Sequence, residues 1–81
     1  MRARVFVNLK QTVLDPQGQT IQRALSGMGH RDILSVRQGK VFDIELGPGA
    51  SVEAARRELD LVAQDVLSNP VIEEYRIEIL E

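Results

Sequence analysis

Ile33-Leu34-Ser35-Val36-Arg37, then Gln38-Gly39, then Lys40-Val41-Phe42-Asp43-Ile44-Glu45-Leu46 is the stretch on which the fold turns. Its second half alternates, with Phe42, Ile44 and Leu46 on one face. Two short apolar runs joined by a turn containing Gly predict a β-hairpin. Gly47-Pro48-Gly49 punctuates its end.

Working outward toward the N-terminus, Asp15-Pro16-Gln17-Gly18 predicts a helix start. Asp is a good N-cap, and Pro is tolerated at the first helical position, where its missing N–H costs nothing. Ile21, Ala24, Leu25 and Met28 then fall on one helix face. Gly27 and Gly29 are placed to end it. Before this helix, Ala3, Val5, Val7 and Leu9 alternate with Arg2, Arg4, Asn8 and Lys10, the pattern of a half-buried strand. Phe6 sits on the polar face, which predicts that this face is covered in the working assembly.

Outward in the other direction, Ser51 caps a second helix. Its apolar stripe is Val52, Ala55, Leu59, Val62, Val66 and Leu67, and Glu53 suits the N-terminal end of the dipole. Asn69-Pro70 stops it, because Pro disfavours helical geometry in the preceding residue. Val71 to Leu80 reads as a last strand, with Tyr75, Ile77 and Ile79 on one side and Glu74, Arg76 and Glu78 on the other. The order is β-α-β-β-α-β. That order predicts an α+β two-layer sandwich with a mainly antiparallel sheet, a ferredoxin-like arrangement, with both helices on one sheet face. The opposite face is expected to carry Phe6, Val41, Ile72 and Leu80 among charges.

Composition narrows the function. The 81 residues make one domain, 1–81, with 43% hydrophobic and 27% charged residues, which is globular. A core this small is commonly supplemented by oligomerisation. There is no Cys, so disulfides, thiolate metal sites and thiol nucleophiles are excluded. One His, His30, cannot make a His-rich zinc site. Ten basic against twelve acidic residues, net −2, argue against a large nucleic-acid footprint. No apolar run reaches the roughly 20 residues of a membrane span, and Met1-Arg2-Ala3-Arg4 leads straight into the first strand without a secretory signal. The expectation is a cytoplasmic chain with no nucleic-acid or membrane partner.

Catalytic patterns are missing as well. His30 follows Gly29 in a connection, with no Ser or Cys nucleophile tied to it. Glu73 and Glu74 are neighbours on a strand, so they point to opposite faces. Glu78 and Glu81 read as a solvated end. Gly27-x-Gly29 lies at a helix end, so it fits neither a dinucleotide fingerprint nor a P-loop. Two polar groups are left over: Lys10 with Asp15 and Gln17, and Arg37 with Gly39 and Lys40 at the hairpin turn. A capped turn needs Asp, Pro and Gly but not Gln17 or Lys10, and a solvated hairpin tip would account for the second group.

Four segments, taken in order, carry a resemblance: Leu9-Lys10; Val13-Leu14-Asp15-Pro16-Gln17-Gly18; Val36-Arg37 with Gly39-Lys40; and Asn69-Pro70-Val71-Ile72-Glu73-Glu74-Tyr75. Together they resemble the PurS family over nearly the whole chain. The resemblance implies a small accessory subunit of phosphoribosylformylglycinamidine synthase, the multi-protein ligase of purine synthesis. In that scheme a glutaminase subunit, PurQ, releases ammonia from glutamine. A synthetase subunit, PurL, uses ATP and magnesium to activate formylglycinamide ribonucleotide and join ammonia to it. The small subunit supplies no catalytic, cofactor-binding or metal-binding residue. It is a homodimer or higher oligomer that bridges the other two and supports ammonia transfer. Lys10, Asp15, Gln17, Arg37, Lys40, Asn69 and Glu73 are the expected partner-binding residues. They are polar, lie at element ends and belong to the segments that carry the resemblance. Two departures are the lack of Cys in the second helix and His30 where some members have an apolar or aromatic residue.

Two other classes share the element order. An amino-acid-sensing module similar to the ACT domain has an Asp-Pro-Gly-like turn after its first strand, but here Gln17 intervenes before Gly18. An RNA-binding module needs stacking aromatics and a basic surface. Two Phe, one Tyr and a net charge of −2 do not supply them.

Overall fold

The computed structural model of the chain describes residues 1–80. Five main elements follow in order: β1 (Arg2–Leu9), α1 (Pro16–Gly27), β2 (Gly39–Glu45), α2 (Val52–Val62) and β3 (Glu73–Leu80). β1 is central in an antiparallel sheet of order β2-β1-β3. Val5 pairs with Phe42 on one side and Ile77 on the other, so the apolar alternations of all three strands fall on one face. Ala3, Val5 and Val7 are fully buried there, as alternation dictates for a strand with one wet side.

α2 covers that face. Ala55 and Leu59 point inward and are buried, with Ala63 just beyond the helix end. Ser51 caps the helix, its Oγ accepting the Ala54 N–H at 3.1 Å. The end is a π-helical turn, Ala63–Leu67, closed when the Ser68 N–H and Oγ–H both donate to the Ala63 carbonyl. The wider turn changes the facing of the last residues, so Val66, assigned by periodicity to the apolar stripe, is 74% exposed.

The two-layer, antiparallel α+β architecture agrees with the sequence reading, and four details do not. The run Ile33–Arg37 joins no strand ladder among the described residues; no turn forms at Gln38-Gly39, and the chain runs directly into β2. β3 begins at Glu73, because Asn69 holds Val71 and Ile72 in a turn: its Oδ1 accepts the Val71 N–H and its carbonyl accepts the Ile72 and Glu73 N–H groups. Ile72 therefore precedes the strand, and only Phe6, Val41 and Leu80 stand on the outer sheet face.

The fourth difference is the largest. α1 does not lie on the sheet beside α2. Gly18 is the one buried residue of the helix, and Leu25, assigned to the core, is only half-buried. α1 instead runs alongside residues 33–38 as an arm that leaves the body. A Cβ at Gly18 would run into the Val36 carbonyl, and Gln22 Nε2 donates to the Ile33 carbonyl at 3.2 Å. Gly29, at φ 99°, turns the chain back, with the His30 N–H returning to the Leu25 carbonyl at 3.0 Å. The molecule measures 51 × 27 × 14 Å, with a radius of gyration of 16.2 Å. A compact chain of this length would have about 12 Å.

Candidate functional site

The arm meets the sheet at Asp15, and the candidate docking residues gather there. Asp15 is 4% exposed. One carboxylate oxygen accepts the Gly18 N–H at 2.9 Å, capping α1; the other accepts the Gln38 N–H at 2.7 Å. Those two N–H groups, that of Gln38 foremost, with Arg37 nearby, hold the Asp15 carboxyl below its ordinary value against the opposing effect of burial. It is an anion with both oxygens occupied, which makes it a structural acceptor and a poor general base.

Arg37 works at the same joint. Its Nη2 donates to the Lys10 and Val13 carbonyls, each at 3.0 Å, and so staples the turn between β1 and α1. Lys10 contributes through its main chain as well, its N–H donating to the Ile72 carbonyl at 2.9 Å. On the other side of Asp15 lies a cavity of about 280 Å³. Asp15, Gln17, Lys40 and Glu73 all line it. Glu73 ties that cluster together: Oε2 is 3.4 Å from Lys40 Nζ, and Oε1 accepts the Asn69 N–H at 2.7 Å.

All seven sequence-selected residues therefore meet along one polar seam, Lys10 and Asn69 joining it through main-chain atoms. Gln17 is exposed at its edge. Arg37 does more than sequence reasoning gave it, since its guanidinium is spent on the fold. Among the described residues, no group of three His, Asp or Glu side chains is placed to hold a metal ion. No helix of the described residues is long and apolar enough to cross a membrane. Glu78 accepts from Arg76, and Glu81 lies outside the described residues.

Comparison with known proteins adds the family. The family model described as PurS, phosphoribosylformylglycinamidine (FGAM) synthase, matches residues 2–81. The chain belongs to the PurS family. It is 45% identical to the PurS subunit of phosphoribosylformylglycinamidine synthase from Mycobacterium leprae, over 94% of this chain and 91% of that one. The crystal structure of PurS from Methanocaldococcus jannaschii superposes with a TM-score of 0.85 at 36% identity, covering 95% of this chain and 92% of that one. It is described as one of the subunits of formylglycinamide ribonucleotide amidotransferase in the purine biosynthetic pathway. A chain from the structure of PurLQS from Thermotoga maritima gives 0.87 at 29% identity, covering 98% and 95%. PurS is a subunit of FGAM synthase, a ligase complex of purine biosynthesis.

Within this chain, sequence reasoning named Gly18 and Gly39 but not the contacts they make, and it gave Gln38 no role beyond a turn. A Cβ at Gly39 would collide with Asn8 Oδ1, so the start of β2 presses on β1 where only glycine fits. The Asp-Pro-x-Gly spacing did signal Gly18, but as a turn residue; that its bare face touches residue 36 is invisible locally. Gln38 acts through its N–H, which no side-chain pattern reveals. His30 is exposed beyond the end of α1, apart from the seam.

Proposed function

We propose that this chain is a non-catalytic accessory subunit that works in the cytoplasm as a homodimer. It bridges the PurQ glutaminase and the PurL synthetase and supports ammonia transfer between them. ATP and magnesium belong to the synthetase. The observation that carries the reading is the match along residues 2–81 to PurS, together with the likeness to a chain of a PurLQS structure.

The physical logic concerns ammonia. At neutral pH, ammonia released into water is protonated and stops being a nucleophile. A subunit that fixes two active sites relative to each other shortens its path without donating any group to the reaction. Asp15, Arg37 and Glu73 suit such a role, because they hold main chain in place and present Gln17, Lys40 and Asn69 at the surface.

The test compares two turnover rates. Purified PurL and PurQ are assayed with and without this chain, once with glutamine and once with ammonium. Glutamine-dependent synthesis should require the chain, while ammonium-dependent synthesis by PurL should not. Equal losses in both would place the chain in the synthetase chemistry and end the bridging proposal.

A further inference from the structure

We infer that two copies of this chain join through the outer edge of β3, the two β3 strands lying antiparallel about a two-fold axis at Ile77. The inference goes beyond the homodimer reading and does not depend on which surface that dimer uses. Among the described residues β3 pairs only with β1, so its other edge is open. The strand follows β1 from Leu9↔Glu73 to Arg2↔Leu80 without a bulge. It contains no Pro and no Lys. Edge strands that stay single commonly carry one of those guards.

The main chain is free to pair. The Lys10 N–H donates to the Ile72 carbonyl at 2.9 Å, which continues the β1–β3 register by one step. Bonded positions alternate along an antiparallel ladder. Glu74, Arg76 and Glu78 therefore turn their main-chain groups toward β1. Those of Tyr75, Ile77 and Ile79 point out from the open edge. With the axis at Ile77, Tyr75 meets Ile79 of the other copy, and Ile77 meets its own counterpart. Each such pair exchanges both of its N–H···O bonds.

The side chains select that axis. Tyr75, Ile77 and Ile79 share the face toward the core and are only half-buried. An axis at Ile77 sets apolar against apolar along that face. On the outer face it sets Arg76 opposite Glu78 of the other copy, twice over, where the Cα atoms approach to about 4.5 Å. Moving the axis by one residue opposes like charges. At Arg76 it sets Arg76 against Arg76 and Glu74 against Glu78; at Glu78 it sets Glu78 against Glu78. An axis at Tyr75 or Ile79 shortens the join. Within one chain Arg76 Nη1 lies 3.3 Å from Glu78 Oε2, yet the two side chains are still 65% and 43% exposed. Each has room for a second partner of opposite charge. The occupant is a second copy because β3, read backwards about Ile77, is its own complement in charge and in apolar alternation.

Two measurements test it. The chain has no Cys, so engineered thiols report cleanly. Arg76→Cys and Glu78→Cys are made in separate chains, mixed and oxidised. The mixture should give a disulfide-linked pair of unlike chains, since Cα atoms about 4.5 Å apart suit a disulfide. Neither variant should link to itself. A link within either variant alone would put the axis at residue 76 or 78 and overturn the proposed join, as would a mixture that gives no link.

Light scattering at micromolar concentration then reads the charges. Arg76→Glu opposes carboxylates on both sides of the axis and should raise the dissociation constant of this contact by on the order of 10-fold or more. Arg76→Glu combined with Glu78→Arg restores opposite charges and should bring assembly back. A loss that the double variant does not repair would mean that the charges act within one chain, and the join would be given up. A wild-type dimer that Arg76→Glu leaves intact would overturn the join while the homodimer reading stands. A wild-type monomer would overturn both.

Discussion

The Asp15 carboxylate and the Gln38 N–H meet at 2.7 Å across 23 residues of chain. This one contact joins the start of α1 to the start of β2 and sets the direction of everything between them. The same carboxylate caps α1 through Gly18. Helix initiation and arm orientation therefore depend on one anion.

Acid should release that joint. The Asp15 carboxyl lies below its ordinary value of 3.8 when folded. Its contribution is therefore present above that ordinary value and is lost as pH falls through the depressed one. Asp15→Asn offers one carbonyl oxygen to two N–H donors, so it should lower the urea midpoint at pH 7. The gap between the two proteins should close on acidification below that window. A gap that stays constant to pH 2 would mean the charge is not what holds the joint.

Glycine substitutions should separate close approach from backbone freedom. Gly18→Ala drives a methyl group into the Val36 carbonyl and should destabilise the protein, with the arm loosened. Gly27→Ala meets nothing within 4 Å, and Gly27 is not among the glycines with positive φ. It should gain about 0.4–1 kcal/mol by restricting the unfolded chain. Parallel urea titrations of the two variants check the contrast.

Core and surface should part company along α2. Leu59 is 3% exposed against the sheet, and Leu59→Ala should cost about 2–5 kcal/mol. That is a large share of a small domain's stability. Val66→Ala, beyond the π-helical turn, should stay within about 0.5 kcal/mol. Thermal unfolding would reverse this order only if Val66 were covered in the native assembly.

Lys40 should matter to assembly more than to folding. Its ion pair with Glu73 spans 3.4 Å and the Lys40 side chain is 53% exposed, so Lys40→Ala should cost under about 1 kcal/mol. If the seam docks a partner, glutamine-dependent turnover of the reconstituted complex should fall while ammonium-dependent turnover holds. Lys10→Glu should weaken assembly more at low salt than at high salt. Sedimentation at two ionic strengths reads that directly.

The candidate site was legible in part. The sequence reading chose Asp15, Lys40 and Glu73 for polarity and position at element ends; the sheet register brings Lys40 and Glu73 to one cavity, and the Gln38 N–H brings Asp15 there. Arg37 and Asn69 were chosen on the same grounds, yet they spend hydrogen bonds on turns of their own chain. The partners they hold are main-chain carbonyls and N–H groups. Every residue carries those, so composition cannot mark them.

Three strands, two helices and both N-caps follow from the sequence alone. Their determinants are local: alternation at Val5 and Val7, the four-residue step from Ala55 to Leu59, and an oxygen-bearing side chain at Asp15 and Ser51. Gln38-Gly39 had no such local answer. The same residues can turn back as a hairpin or run straight into β2, and the choice depends on what holds them from elsewhere in the chain. Here Asp15 takes the Gln38 N–H and Asn8 lies against Gly39, so the chain runs straight. Residues 33–37, apolar enough for a strand, are left without a ladder, and α1 stands off the sheet that its own apolar face was expected to cover.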